Sequence, residues 1–397
     1  MNYSKLTVRD VDVSGKRVLY RGDFNVPLDK ATGEITDDGR ITASMPTLRY
    51  LLDAGARVVA CSHLGRPKGR PNPAMSLEPV RARLSELLGQ EIKMSGECAG
   101  DEARAIADGL APGELMMLEN LRFCPEEEAN DAGFAKTLAD FADIYVSDAF
   151  GTVHRAHAST AGVAKYLPAV AGFLLAKELE VIGGALTSPA RPFVAVLGGS
   201  KISDKMGVIT NLLNVADSII IGGGMAYTFI KATGGRIGAS MLEPDRLDFA
   251  RETWESAAKS GKRLLLPTDV IAAASIDDAE GTVLPARELP DDRMGLDIGP
   301  DTRARFVSEI AGAGTVIWNG PMGVFENPAF EAGTRALAEA LALSDCASII
   351  GGGDSAAAVR KFGLEDRMTH VSTGGGATLE FLEGINLPGI DCLLDKK

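Results

Sequence analysis

The sequence has little cysteine, only two tryptophans and no apolar run long enough to cross a bilayer. Cys61, Cys98, Cys124, Cys346 and Cys392 are scattered, odd in number and never in a CxxC pair. That argues against a disulfide framework or a structural zinc site and for a reducing cytoplasm. A basic-then-apolar signal segment is missing from the N-terminus. Positive charge is also short: 41 Lys and Arg stand against 54 Asp and Glu, a net charge of −13. Neither a nucleic acid nor an anionic membrane surface is therefore expected as a partner. Catalytic signatures are absent too. No GxxxxGK[ST] occurs, which excludes a P-loop nucleotide site, and no strand–GxGxxG–helix with a spaced acid, which weakens a dinucleotide dehydrogenase. There is no GxSxG elbow, no HExxH and no low-complexity tract.

What is present is a recurring alternation of short apolar runs and helical stretches, the pattern of parallel α/β architecture. At 397 residues, two domains are expected. The first half carries strand-like runs at Arg17–Tyr20, Arg57–Ala60, Leu115–Leu118 and Ile144–Val146. The second carries them at Val194–Leu197, Ser218–Ile221, Arg263–Leu266, Thr315–Trp318, Ala347–Ile350 and Met368–Val371. Between the halves, Gly172–Ile182 has apolar residues at helical spacing and reads as a connecting helix ending at a hinge-like Gly183-Gly184. After Val194–Leu197, Gly198 and Gly199 end the strand, and a helix opens with Ser203 or Ser200 as its cap. If that helix includes Lys201, then Lys201 and Lys205 share a face. Together with free amides at the helix start, they suit a polyphosphate.

Ligands of open parallel sheets sit outside the carboxyl ends of the strands, so the residues that follow each strand are the functional test. In the first half these segments carry Arg21, His63, Arg66, Arg122 and Arg155, with Arg40 after a turn-rich stretch. Guanidinium groups converging at one sheet edge would hold a small, multiply charged anion. Asp23 and Asn25 suit a hydroxyl better than a phosphate, so the expected ligand is a hydroxylated, phosphorylated acid. His370 reads as a strand histidine, while His157 stays undecided. In the second half the same positions supply glycines, small hydroxyls and acids, including Gly222, Gly223, Gly351, Gly352, Gly353, Asp354, Ser355 and Gly374–Gly376. Asp354 has the company of a Mg²⁺ ligand, with a helix cap as its plainer role. Glu326 would reach a ribose, and Met225 and Phe325 read as packing residues. No general base stands out. A carboxylate nucleophile needs none, since it is already ionised at neutral pH.

Taken together, Arg21–Pro27, Ser62–Pro67, Glu119–Phe123, Asp148–Ala158, Leu197–Lys205, Met294–Pro300, Trp318–Glu326, Gly351–Ser355 and Ser372–Ala377 closely resemble the phosphoglycerate kinase family along essentially the whole chain. The resemblance implies two Rossmann-like lobes, each a parallel sheet flanked by helices, joined by a hinge helix with a central cleft. It implies a 3-phosphoglycerate lobe of residues 1–171 with 385–397 returning to it, and a nucleotide lobe of residues 172–384. The implied reaction is reversible phosphoryl transfer between ATP and the carboxylate of 3-phosphoglycerate, by closure of the lobes. By the family pattern Asp23 and Asn25 meet the hydroxyacid, and His63, Arg66, Arg122 and Arg155 hold its phosphate end. Arg40 and Lys201 neutralise the phosphoryl group in flight, helped by amides at Gly374, Gly375 and Gly376. Lys205 and Ser355 hold nucleotide phosphates with Gly352 and Gly353, Asp354 the Mg²⁺, Glu326 the ribose, and Gly222, Gly223 and Gly295 the purine. A cytoplasmic monomer with small-molecule substrates, no nucleic acid and no membrane partner is implied. Ser355 and Thr378 stand where many relatives have Thr and Ser, and Gly69–Met75 departs from the commoner loop. The residues by themselves leave open another two-lobed kinase of carboxylic acids, or a hinged receptor that closes on an anion without chemistry.

Overall fold

Each of the apolar runs read from the sequence overlaps a β-strand in the computed structural model, which describes residues 3–396. Such runs lack alternation because parallel strands are covered on both faces. The chain divides into two units. One holds everything up to Glu180 together with the segment from Asn386 onward, and the other is Val181–Ile385. Residues 1, 2 and 397, which belong to the expected first lobe, lie outside the described residues.

In the first unit the strands are β1 (Arg17–Gly22), β2 (Arg57–Cys61), β3 (Lys93–Met94), β4 (Leu115–Met117), β5 (Ile144–Asp148) and β6 (Ala169–Ala171). They form one parallel sheet in the order β3-β4-β2-β1-β5-β6. The helix Gly39–Asp53 brings Ile41, Met45, Leu48 and Leu51 into one core with Val18, Tyr20, Val58 and Ala60 of β1 and β2. From β1 the chain works outward on one side and then crosses to β5 on the other, so the strand order reverses between β1 and β5. The C-terminal segment is tied to this unit. The Leu6 amide donates to Leu394 O at 2.8 Å, and Lys5 Nζ pairs with Asp395 Oδ1 at 2.8 Å.

The second unit begins with β7 (Phe193–Leu197), β8 (Ser218–Ile221), β9 (Arg236–Ile237) and β10 (Arg263–Leu265). There follow β11 (Asp269–Ala273), β12 (Thr282–Pro285), β13 (Glu288–Leu289) and β14 (Met294–Ile298), then β15 (Thr315–Asn319), β16 (Ala347–Gly351) and β17 (His370–Val371). Its main sheet runs β10-β8-β7-β15-β16-β17, all parallel, and reverses between β7 and β15. A small antiparallel sheet, β12-β11-β14, and the pair β13-β9 are additions that the alternating pattern did not announce.

Three expectations about helices need correction. The connecting helix does not stop at Gly183-Gly184. Phe173–Glu178 runs into a π turn, Leu179–Gly183, and on into Gly184–Thr187, with Gly183 in ordinary helical geometry (φ −61°, ψ −42°). Leu179, Ile182 and Ala185 are buried along it, and that burial offsets the roughly 1 kcal/mol that glycine costs a helix. The division between the units falls inside this π turn. Neither Ser203 nor Ser200 caps the helix after β7, which is Met206–Val215 preceded by the 3₁₀ turn Ser203–Lys205. The Ser203 amide donates instead to Glu243 Oε2 at 3.1 Å, an acid far along the chain. Lys201 therefore precedes the helical turn, and it does not stack over Lys205 on one helical face.

Candidate active site

At the carboxyl edge of the first sheet, β1 and β2 end in Gly22 and Cys61, and His63 follows two residues after β2. The ring is buried and held well below the usual histidine pKa, first by desolvation and then by the positive fields of Arg21, Arg122, Arg40 and Arg155. The fields of four guanidinium groups thus act on one buried imidazole. Arg40 Nη1 pairs with Asp23 Oδ2 at 2.7 Å. Arg122 Nη1 donates to Gly65 O at 2.8 Å, and its Nε lies 3.1 Å from Glu128 Oε1. Arg155 Nε donates to His154 Nε2 at 3.1 Å. Arg66 is exposed and forms no ion pair among the described residues. Asn25 Oδ1 accepts from the Gly65 amide at 2.8 Å, so it shapes the loop that carries Arg66.

Arg21 departs from the expectation that it lines the anion pocket. It is 1 % exposed and spends its donors inside the unit, on Ser159 Oγ at 2.9 Å, on Gly22 O and on His63. Ser159 in turn binds Glu127 through its hydroxyl and its amide, at 2.5 and 2.9 Å. Glu127 is buried with its pKa raised, chiefly by desolvation, and His157 Nδ1 lies 3.8 Å from it. His157 is itself pushed down to about 4 by burial and by the neighbouring arginines. Arg21 and His157 therefore belong to the layer beneath the site.

Sequence reasoning passed over Asn120. Its Oδ1 accepts from the Leu64 and Arg122 amides at 3.2 and 3.1 Å, while Nδ2 donates to Leu64 O and Met75 O at 2.7 and 2.8 Å. One buried amide thus fixes both the His63–Arg66 loop and the turn that carries Arg122. An Asn three residues past β4, between Glu119 and Arg122, was the available signal.

In the second unit the strand-order reversal between β7 and β15 is built almost entirely of backbone. The Gly198 amide donates to Asn319 O at 3.0 Å, and the Gly199 amide to Pro321 O at 3.0 Å. Gly223 (φ 64°) lies so close that an added Cβ would sit 2.6 Å from Gly199 O, so no larger residue fits. Beside this joint is a cavity of about 430 Å³ whose walls include Gly223, Gly295, Glu326 and Asp354 together with Gly199 and Ser200. Gly222 is buried behind it against Met322. A Cβ on Gly295 would fall on the Tyr227 hydroxyl, so this glycine keeps the floor of the cavity flat. Met225 and Phe325 are buried, as packing residues should be.

Lys205 is buried and donates to Asn319 Oδ1. Desolvation lowers its pKa to about 8 against the opposing pull of Asp204 and Asp354. The Nδ2 of Asn319 is buried without a partner, next to the positions where Gly351 and Gly352 lack a Cβ. An orphaned donor, a lysine and bare glycine backbone are what a phosphate oxygen requires. Ser355 opens the helix Gly353–Lys361 with Gly353 and Asp354. It is buried, and its Oγ accepts the Gly320 amide at 2.6 Å. Past β17, Gly374 is buried and its amide donates to Ser372 Oγ at 3.2 Å, while Gly375 (φ 53°) and Gly376 begin the helix Gly376–Leu382 facing open space. Lys201 is exposed, near enough to Glu243 to help keep that carboxylate ionised.

No three His, Cys, Asp or Glu side chains gather as a metal cage among the described residues. Asp354 is a single exposed carboxylate on the cavity wall. That fits Mg²⁺, which takes one or two carboxylates and fills its octahedron with phosphate oxygens and water.

Fold and site define a protein of two doubly wound α/β units, one with arginines and the other with glycine backbone and a lysine gathered at its switch point. Comparison with known proteins carries this further. Residues 8–385 match the family model described as phosphoglycerate kinase. The chain is 55 % identical over 393 residues to the phosphoglycerate kinase of Dictyoglomus turgidum, covering 98 % of each protein. It is 54 % identical over 394 residues to that of Moorella thermoacetica, covering 99 % of this chain and 100 % of the relative. Among solved structures, the phosphoglycerate kinase from Coxiella burnetii superposes with a TM-score of 0.91 at 44 % identity, over 98 % of both chains. The enzyme from Pyrococcus horikoshii gives 0.82 at 33 %, again over 98 % of both. The chain belongs to the phosphoglycerate kinase family.

Proposed function

We propose that this chain transfers a phosphoryl group reversibly between ATP and the carboxylate of 3-phosphoglycerate, yielding ADP and 1,3-bisphosphoglycerate. The observation that carries the reading is the buried His63 in the positive fields of Arg40, Arg122 and Arg155 in one unit, and in the other a glycine-lined cavity walled by Asp354 and Glu326, with the buried Lys205 in the field of Asp354. The first suits a compact polyanion and the second a nucleotide.

In this reading Asp23 and Asn25 meet the hydroxyl and carboxyl end of the acid, while His63, Arg66, Arg122 and Arg155 hold its phosphate. Gly222, Gly223 and Gly295 take the purine, and Glu326 the ribose. Lys205, Gly352, Gly353 and Ser355 take the nucleotide phosphates. Asp354 holds Mg²⁺, whose contribution is to neutralise charge on the phosphate oxygens. The attacking group is a carboxylate, ionised at neutral pH, so the protein supplies no base. Its work is positioning and charge neutralisation by Arg40, Lys201 and the amides at Gly374, Gly375 and Gly376. Bringing the two substrates together requires movement of one unit on the other, which also expels water from the reacting groups. The enzyme acts as a cytoplasmic monomer on small molecules, and its charge of −13 disfavours nucleic acid.

A coupled assay decides the reading. ADP should form from ATP only when both 3-phosphoglycerate and Mg²⁺ are present. ADP formation with unphosphorylated glycerate at an equal rate, or binding of both ligands without turnover, would replace it with one of the two alternatives above.

A further inference from the structure

Two large apolar side chains stand exposed on the wall of the glycine-lined cavity in the second unit. Ile276 is 51 % and Met241 46 % exposed, and both line that cavity together with Gly223 and Gly295. Apolar side chains exposed singly need no explanation, whereas two on one cavity wall mark a surface that a ligand covers. Ile276 lies on the 274–278 turn that leaves β11. Within the turn, Asp278 Oδ2 accepts the Ala274 and Ser275 amides, both at 3.0 Å, and the Asp278 amide donates to Ser275 O at 3.2 Å. From outside, the turn is tied down by Asn327. Its Nδ2 donates to Ile276 O and to Asp278 O, at 2.9 Å each. Its Oδ1 accepts the Ala329 amide at 2.9 Å and so caps the 3₁₀ turn Pro328–Phe330. These three bonds fix the amide's orientation, since a flipped group would set its oxygen against two carbonyls. Asn327 directly follows Glu326, which lines the same cavity. One amide thus joins the turn that carries Ile276 to the segment that carries Glu326.

We propose that Asn327 is a positioning residue for the nucleotide base: it holds the 274–278 turn so that Ile276, together with Met241, covers the base bound in this cavity. This role rests on the nucleotide reading of the cavity and adds how the base is gripped. The groups that Asn327 holds are backbone carbonyls of the turn itself, one of them belonging to Ile276. Losing the tether therefore loosens the apolar cover and leaves the groups assigned to the phosphates, Lys205, Gly352, Gly353 and Ser355, in place. The expected effect is confined to the nucleotide, because the groups assigned to 3-phosphoglycerate belong to the other unit.

The test is calorimetric titration of the full-length chain and its variants with ADP and Mg²⁺ and, separately, with 3-phosphoglycerate. Asn327→Asp keeps the oxygen that caps Pro328–Phe330 but turns a second oxygen toward the carbonyls of Ile276 and Asp278, so it removes the tether alone. It should weaken ADP about fivefold and leave 3-phosphoglycerate within about twofold of wild type. Ile276→Ala should cost ADP about as much. Adding Asn327→Asp to Ile276→Ala should cost little more, because both changes act through one contact. The proposal is overturned if Asn327→Asp or Ile276→Ala binds ADP as wild type does. It is overturned equally if the two losses add in the double variant, which would route the effect of Asn327 through Glu326. Should Asn327→Asp fail to give the wild-type melting transition, Asn327→Ser, which keeps a capping oxygen and is too short to reach the turn, takes its place in the same cycle. A wild-type chain that binds no ADP would remove the nucleotide reading and this role with it, whereas any of the other failures removes this role alone.

Discussion

Nη2 of Arg21 lies 3.2 Å from Nδ1 of His63. A guanidinium has donors only, so Nδ1 must be the acceptor and the ring proton sits on Nε2. Burial and four nearby arginines keep the second proton off. The site thus gains an N–H donor of fixed tautomer without a further positive charge beside the arginines. Buried Arg21, which binds no ligand in the proposed reaction, is what sets that tautomer.

A pH profile checks this. Because His63 is neutral well below pH 6.5, any change in the KM for 3-phosphoglycerate between pH 6 and 8 should come from the substrate's own phosphate, with a second pKa of about 6, and His63→Gln should keep that profile while weakening binding. A step near pH 6.5 in wild type that vanishes in His63→Gln contradicts it. Stability follows the same logic. The native pKa is depressed, so the unfolded chain binds the extra proton. The contribution is complete above pH 6.5 and is lost as the pH falls below it. His63→Gln should therefore reduce the acid sensitivity of the urea midpoint.

The opposite sign holds at Asp297. Desolvation raises this buried carboxyl to about 7, its Oδ2 accepts the Gly333 amide at 2.7 Å, and its Oδ1 has no partner. An unfolded aspartate titrates near 4, so ionising the native group costs stability progressively from about pH 4 to pH 7, to a total of a few kcal/mol. Asp297→Asn keeps an acceptor for Gly333 and removes the ionisation. Its urea midpoint should match wild type at pH 4.5 and exceed it at pH 8. A variant less stable at pH 8 than at pH 4.5, relative to wild type, rules this out.

Where the sequence was legible, the reason is burial on both sides of a strand. Val194–Leu197, Ser218–Ile221 and Thr315–Trp318 are fully buried and read as strands without help. β12 was not legible because Thr282–Pro285 is mostly exposed and has no apolar pattern, and β14 because Gly295 and Asp297 interrupt it. β3 and β9 are two residues long, too short to carry a period. At the site, charged residues after strand ends were found because their chemistry announces itself. Asn120 and Asn319 were not, since an amide that holds two loops, or that meets a buried lysine, looks like any other polar residue until the loops are folded. Arg21 carried the reverse error: it was read as following β1, whereas it lies within the strand and its charge is turned inward.

The two lysines after β7 should separate stability from chemistry. Lys205 is buried against Asn319, so Lys205→Ala leaves a buried amide oxygen unpaired and should lower stability by about 1–3 kcal/mol in addition to weakening ATP binding. Lys201 is exposed and makes no ion pair among the described residues, so Lys201→Ala should leave the urea midpoint within about 0.5 kcal/mol of wild type. If Lys201 neutralises charge only while the phosphoryl group is in flight, that variant loses about 10²–10³ in kcat with the KM for ATP and 3-phosphoglycerate changed by less than about threefold. A rise in either KM as large as the fall in kcat would make Lys201 a ground-state phosphate ligand, and transition-state neutralisation would then rest on Arg40 and the amides at Gly374, Gly375 and Gly376 alone.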